Sequence, residues 1–268
     1  MGRLIEWDGV GQKKFETGNK NGVIYRPDAN GNYTNGVAWN GLTAVNENPS
    51  GGDATDLWAD DIKYATMRAA EKYGVTIECY TYPDEFAECN GEKEVISGVK
   101  IGQQARKPFG FSYVSTIGND VEGTDFAEKL HLIYGLTASP SSKGYSTIND
   151  SPDAITFSFE AESTPVNVTD GKPTSSIEID SSKVDSTKFE ALKNILYGTA
   201  ATYAATSDVT FETGKTYYEK QADGSYVKTS DQTMQSGKTY YEQTAAAVAA
   251  RLPFPDEVIS TLSTTVGG

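Results

Sequence analysis

From Ile155 to Glu162 the chain alternates without a break: Ile155, Phe157, Phe159 and Ala161 fall on one side, and Thr156, Ser158, Glu160 and Glu162 on the other. A period of two is that of an extended strand with one face packed and one face in water. The pattern returns at Val75–Tyr82, where Pro83 stops it, at Phe109–Thr116, at Ala127–Ala138 and in the short run Ser176–Asp180. In Ala127–Ala138 it puts Leu130, Leu132, Tyr134 and Leu136 on one face and His131 on the opposite, solvated one. Val23–Tyr25 and Val37–Trp39 flank the polar stretch PDANGNYTNG, whose Asn30-Gly31 pair predicts the turn of a hairpin. Between Leu57 and Tyr73 two periods coexist: Trp58, Ile62, Ala65, Ala69 and Tyr73 have helical spacing, while Ile62, Tyr64 and Thr66 have strand spacing.

One segment is unambiguously helical. Over Ser186–Tyr197, Phe189, Leu192, Ile195 and Leu196 form one apolar stripe, with Thr187 and Glu190 spaced as a capping box and Gly198 at the end. Two segments lack a core-forming pattern. Asn46, Glu47, Asn48, Pro49, Ser50, Gly51, Gly52, Asp53, Ala54, Thr55 and Asp56 read as an extended polar loop, and loops of that length inside a domain tend to be functional. Beyond Gly198 the chain repeats itself: TFETGKTYYEK from Thr210 and TMQSGKTYYEQ from Thr233 share G-K-T-Y-Y-E. Ala222–Ser225 supplies a tight turn between Lys215–Gln221 and Tyr226–Thr229, and Ala/Thr linkers at Thr199–Thr206 and Thr244–Ala250 bound the pair. Ala245–Leu252 has room for a short helical turn before Pro253. Two units follow: a β domain of residues 1–198 plus 250–268, and a small inserted β module of residues 199–249.

Composition narrows the function classes. With 268 residues a sizeable core is affordable, and 26 glycines with 16 tyrosines suit twisted sheets. A net charge of −14 repels phosphate, so a nucleic-acid binder is not expected; it also keeps free subunits soluble. No apolar run is long enough to cross a membrane, and MGRLIEWDGV lacks a secretory core, which predicts a product made in a cytoplasm. The sequons at Asn32, Asn149 and Asn167 then carry no meaning. Cys79 and Cys89 read as reduced structural thiols, and one histidine, His131, completes no zinc spacing.

Candidate chemistry is sparse. G-K-T at Gly214 and Gly237 lacks the upstream glycine of a phosphate loop, since Val209 and Gln232 stand there. Tyr217, Tyr218, Tyr226, Tyr240 and Tyr241 instead read as cross-strand packing on an outward decoration. Asp84, Glu85, Glu88, Glu92 and Glu94 form a dense acidic loop, without EF-hand spacing and with no demonstrated carboxylate pair. No catalytic, cofactor or metal residue is expected.

Several segments together resemble the tail tube, or major tail, proteins of long-tailed bacteriophages. They are WDGVGQKKFETG from Trp7, GVAWNGLTAV from Gly36, WADDIKYA from Trp58, IECYTYPDEFAECNG from Ile77 and GYSTINDSPDAITFSFEAESTPV from Gly144, with ARLPFPDEVISTL near the end. The resemblance implies a tail-tube-type β-sandwich or barrel with one flanking helix, long loops and a small β insertion near the C-terminus. It favours a strand over Asp61–Thr66 followed by a helical turn. It further implies a virion protein assembled in the host cytoplasm as stacked hexameric rings, with DNA passing through unbound and no membrane. Implied partners are copies of itself, a tape measure, a tail terminator and baseplate or distal tail proteins. Asn46–Asp56 would reach between rings. The alternative from the residues alone is a surface- or carbohydrate-binding β module centred on 199–249, with a carboxylate-based hydrolase as the third reading.

Overall fold

The computed structural model describes residues 7–147, 153–169 and 171–263, so the Asn149 sequon and part of the Gly144 segment lie outside the described residues. The fold is mainly β. In chain order, β1 (Lys14–Pro27) and β2 (Tyr33–Trp39) form the expected first hairpin, and β3 (Leu42–Gly51), β4 (Ala54–Ala59), β5 (Ile62–Arg68) and β6 (Glu71–Cys79) run out and back. Helix α1 (Asp84–Cys89) and the small hairpin β7 (Lys93–Ile96) and β8 (Val99–Ile101) precede the long central pair β9 (Phe109–Asn119) and β10 (Gly123–Ala138). Then come β11 (Phe157–Ser163), β12 (Ser176–Asp180), α2 (Ser186–Tyr197), β13 (Thr202–Ala205), β14 (Tyr217–Lys220), β15 (Tyr226–Lys228), β16 (Tyr241–Ala245) and α3 (Pro255–Leu262).

The main sheet runs β2-β1-β9-β10-β11-β6-β3, with β12 also on β10. Its shape is decided by β10. Along one edge β10 pairs with β9; along the other it pairs first with β12, from Lys129 to Ile133, and then with β11, from Leu136 to Ala138. The change falls at Gly135, whose φ of +61° is open to glycine, and where a Cβ would sit 2.1 Å from the Thr164 carbonyl oxygen. A strand that changes partners at such a bend turns a corner between two layers. One layer is β2-β1-β9-β10-β12 and the other β11-β6-β3.

Between the layers lies an aromatic core. Phe109, Phe111 and Ile133 of the first layer meet Val75, Ile77 and Phe159 of the second, with Trp39 5.7 Å from Phe111 and 6.3 Å from Phe159 by ring centroids. On the outer face of the first layer Val23, Tyr25, Leu130, Leu132 and Tyr134 pack under α2, through Phe189, Leu192 and Leu196, and under Val258 of α3. Burying each such α2 side chain contributes roughly 1.5–3 kcal/mol. Two buried hydroxyls tie the helical layer down: Tyr25 Oη donates to the Leu196 carbonyl at 2.9 Å, and Tyr134 Oη to the Pro253 carbonyl at 3.0 Å.

Several expectations change here. Both faces of β10 are buried, so the face opposite Leu130 and Leu132 is core as well, and the bend at Gly135 sends Leu136 into the inter-layer core with Ile133. There are three helices among the described residues where one was expected; α1 starts directly after Pro83, and α3 carries Pro255 in its first turn. The cap of α2 is Asp185, which accepts from the Lys188 amide at 3.1 Å, in place of Thr187. The strand predicted from Ile155 begins at Phe157, though its alternation holds, with Phe159 and Ala161 buried and Ser158, Glu160 and Glu162 exposed. The stretch after Thr66 is extended with no helical turn, and Ala245–Leu252 is extended too. Cys79 and Cys89 are buried free thiols, and burial pushes the Cys89 thiol up to about 12.

Residues 199–249 form a separate four-stranded sheet, β13-β16-β14-β15. Of the Ala/Thr stretches expected as linkers, the first contains β13, and the second begins with the last two residues of its partner β16, Thr244 and Ala245. Thr199 and Val248 exchange two 2.9 Å backbone hydrogen bonds, so this unit leaves and rejoins the chain at one point, against the end of α2.

Candidate assembly surface

The polar stretch Asn46–Asp56 is not a loop. Its first six residues continue β3, in register with β6 from Asn46 opposite Thr76 to Gly51 opposite Glu71. After Ser50 and Gly51 close β3, Gly52 and Asp53 lead directly into β4, which begins at Ala54 and includes Thr55 and Asp56. Polar composition had concealed the strand because its side chains mostly face water, and Pro49 is tolerated because β3 pairs with β6 alone and is an edge.

The edge continues into a projecting arm. Ala69 donates to the Asp53 carbonyl at 2.9 Å, linking the β3–β6 ladder to the β4–β5 ladder, which ends at Ala59 opposite Ile62. Asp60 and Asp61, with φ of +49° and +62°, make the tip turn, a conformation asparagine and aspartate tolerate. At the root Gly51 has φ +82°, and a Cβ there would meet the Ala70 carbonyl oxygen at 2.8 Å. Every residue of β4 and β5 is exposed, including Trp58 at 68%, Ile62 at 64%, Tyr64 at 75% and Met67 at 62%. A lone hairpin is marginally stable in water, and clustered exposed apolar side chains mark a contact surface.

A second exposed hairpin carries Val95, Ile96, Val99 and Ile101 on β7 and β8. The five carboxylates read as an acidic loop sit on α1, on this hairpin and, for Glu92, on the turn between them, and most are partnered. Asp84 pairs with Lys100 at 2.5 Å, Glu88 with Lys107 at 2.7 Å, and Glu92 with Lys143; Glu94 accepts from the Gly98 amide at 2.7 Å. Lys107 first, and Arg26 and Lys93 more weakly, hold the Glu88 carboxyl below its usual range against the opposing effect of burial. The half-buried Glu85 side chain forms no hydrogen bond or ion pair among the described residues. The arrangement is that of a helix-and-hairpin stapled by single ion pairs.

The tyrosines of the insertion are turned inward on one another. Tyr217 and Tyr240 are buried, while Tyr218, Tyr226 and Tyr241 are half-buried; Tyr203 stacks on Tyr226 with centroids 4.2 Å apart. The duplication is longer than its G-K-T-Y-Y-E signature. Tyr217 Oη donates to Asp208 Oδ2 at 2.6 Å and Tyr240 Oη to Asp231 Oδ2 at 2.6 Å, while Lys215 and Lys238 each lie 2.9 Å from the same carboxylates. Each repeat also hands a glutamate to the other: Lys215 reaches Glu242 and Lys238 reaches Glu219. With Tyr218 opposite Tyr241, the two copies are related by a local two-fold between β14 and β16.

At the base of the arm lies a polar cluster that no spacing in the sequence announces. Glu47 points between the layers, where Tyr113 Oη donates to its Oε1 at 2.8 Å. His131, expected in solvent, is only 7% exposed; its ring lies flat on Tyr113 with centroids 4.3 Å apart and planes 3° apart. Nε2 of His131 meets Ser115 Oγ at 2.9 Å, and Nδ1 stands 3.6 Å from Glu47 Oε1. Burial would raise the Glu47 carboxyl, but His131, Tyr73 and Tyr113 beside it outweigh that and hold it below its usual range. Burial and then the Glu47 charge push the Tyr113 hydroxyl far above its ordinary value. Glu178, opposite His131 across the β10–β12 ladder, brings a second carboxylate to the same place.

No family model matches the chain, and no curated protein is significantly similar to it.

Proposed function

We propose that this chain is a structural subunit that assembles with copies of itself into stacked rings of the tail-tube type, with no chemistry of its own. The observation that carries the reading is the arm. β4 and β5 expose Leu57, Trp58, Ile62, Tyr64 and Met67 on an extension of an unpaired sheet edge, a costly feature for a free monomer and a useful one for a subunit that donates it to a neighbour. The resemblance in sequence supplies the kind of assembly: hexameric rings forming the channel through which a phage ejects DNA, in a virion with tape-measure, terminator and baseplate partners. The strongly acidic composition supports passage of DNA without binding it. Among the described residues no helix is long and apolar enough to cross a membrane.

Negative-stain electron microscopy of concentrated protein across a salt series tests this, because salt screens repulsion between acidic subunits. The wild-type chain is expected to give hollow tubes or stacked six-fold rings. A variant in which a short turn joins Asp53 directly to Ala69, whose backbones already hydrogen-bond, should fold and stay as small particles. A variant joining Thr199 to Val248 should still assemble if the insertion is a decoration. Uniformly small wild-type particles at every salt concentration would overturn the tube reading and favour a binding module.

A further inference from the structure

We propose that Glu47, His131 and Glu178 form a binding site for a divalent transition-metal ion of the zinc class, one that pins the base of the arm to the central sheet. The assignment stands apart from the tube reading and rests on the cluster alone. The three side chains come from β3, β10 and β12, and one donor atom from each lies within 4.8 Å of the others.

The histidine is what distinguishes this cluster from an ordinary acidic patch. His131 is more than nine-tenths buried, and its Nδ1 has no hydrogen-bond partner. Its other nitrogen is engaged: Nε2 meets Ser115 Oγ at 2.9 Å, and in the tautomer that donates there the Nδ1 lone pair faces Glu47, as a metal ligand requires. A histidine that holds a metal through one nitrogen almost always fixes the other in this way. The Tyr113 ring holds the imidazole plane by stacking, while its hydroxyl orients the Glu47 carboxylate. A second buried polar atom, Tyr73 Oη, lies beside Glu47 without a hydrogen bond of ordinary geometry.

Distances and charge agree with the assignment. The 3.6 Å between Nδ1 and Glu47 Oε1 is long for a hydrogen bond. It is close to the spacing of about 3.4 Å between ligand atoms placed tetrahedrally at about 2.0–2.1 Å from zinc. The two carboxylates carry the charge that a divalent cation neutralises, and the imidazole adds a nitrogen donor. Glu178 is about half exposed, so it can close on the ion and leaves the site a route to solvent with positions for water. One competitor is present: Lys129 Nζ lies 3.5 Å from Glu178 Oε2, but Lys129 has Glu16 as its other partner and loses little by releasing Glu178. The imidazole excludes calcium and magnesium as preferred occupants, since these ions take oxygen ligands.

The test uses the tag-free full-length chain, stripped with a chelator and then titrated with Zn²⁺ alone by calorimetry and thermal unfolding. One ion should bind per chain and raise the melting temperature by about 5–10 °C when zinc is about 100-fold above its dissociation constant. Co²⁺ should give visible d–d absorption bands of a nitrogen- and oxygen-ligated centre. Glu178→Gln, at an exposed position that does not disturb the core, should weaken binding at least 10-fold, and Glu47→Gln should do the same; His131→Asn should abolish the cobalt bands. Absence of a heat signal and of a melting shift at millimolar Zn²⁺ would overturn the proposal. So would an unchanged affinity in Glu178→Gln and Glu47→Gln, which would place the metal elsewhere. A melting temperature that follows pH but ignores metal would reassign the cluster as a plain His131–Glu47 ion pair.

Discussion

Replacing Gly135 by alanine tests whether the corner in β10 is what makes two layers from one sheet. Two costs are separable. The first is conformational: an L side chain at φ +61° costs about 1–2 kcal/mol. The second is steric, because the new Cβ would stand 2.1 Å from the Thr164 carbonyl oxygen and 3.1–3.2 Å from the Thr164 carbonyl carbon and nitrogen. These are backbone atoms, and the Thr164 amide is already bonded to the Gly135 carbonyl at 2.9 Å, so relief requires moving β11 or β10. Overpacking of that kind adds about 1–3 kcal/mol. The sum is about 2–5 kcal/mol, a fall in melting temperature of roughly 5–20 °C for a chain of this size. Gly123, at the start of the same strand, provides the control: its φ is +62° and nothing lies within 4 Å of an added Cβ, so Gly123→Ala carries the conformational cost alone. Urea unfolding of both variants, compared at constant m, isolates the steric part. Equal losses in the two would refute the claim that β10 turns against Thr164.

Phe86→Ala probes α1, a six-residue helix that looks peripheral but buries Phe86 completely, 4.5 Å from Trp39 and 4.8 Å from Phe159 by centroids. It should cost about 3–5 kcal/mol in urea unfolding, and a loss below about 1 kcal/mol would show that α1 is not part of the inter-layer core. Glu47 predicts an acid limb. Its folded carboxyl lies below its unfolded value, so its contribution is fully present above the unfolded carboxylate range and is lost as pH falls through the folded value. Glu47→Gln should therefore flatten stability against pH below about pH 4.5, the ordinary range of a glutamate, with little change in slope at neutral pH; an unaltered acid limb would contradict the placement of that carboxylate beside His131, Tyr73 and Tyr113.

Strands whose second face is wet were legible residue by residue. Phe159 and Ala161 against Glu160 and Glu162 is one case, and Val75 and Ile77 against Thr76 and Glu78 is another. Alternation misled where both faces are buried. The run Leu130-His131-Leu132-Ile133-Tyr134 has apolar residues on each side of the strand, and assigning its single polar member to water followed from assuming one dry face. The opposite error hid β3: Asn46–Ser50 is polar because most of it is an exposed edge, and a strand needs backbone pairing before it needs apolar side chains. Helix α1 was missed because six residues hold too few turns to display a period, and the true cap of α2 was missed because Asp185 and Thr187 are both chemically competent N-caps.

The polar cluster could not have been found by spacing, since Glu47, His131 and Glu178 are brought together only by the β3–β6 pairing, the corner at Gly135 and the β10–β12 ladder acting jointly. Its position gives it a mechanical meaning. The inter-layer core thins beyond Val75 and Tyr113, where β3 and β6 are held by their mutual ladder, by the Gly74–Glu162 pairing of β6 with β11 and by the Lys72–Glu162 ion pair. Within β3 the Glu47 side chain reaches the other layer's β9 and β10, through Tyr113 and His131. Whatever tightens that contact fixes the direction in which the arm leaves the body, and a subunit that must present the arm to a neighbour gains by having that direction set before the neighbour arrives. The direction of the arm and the packing at its root are thus one physical problem, and the half-buried Glu47 carboxylate is where the fold addresses it.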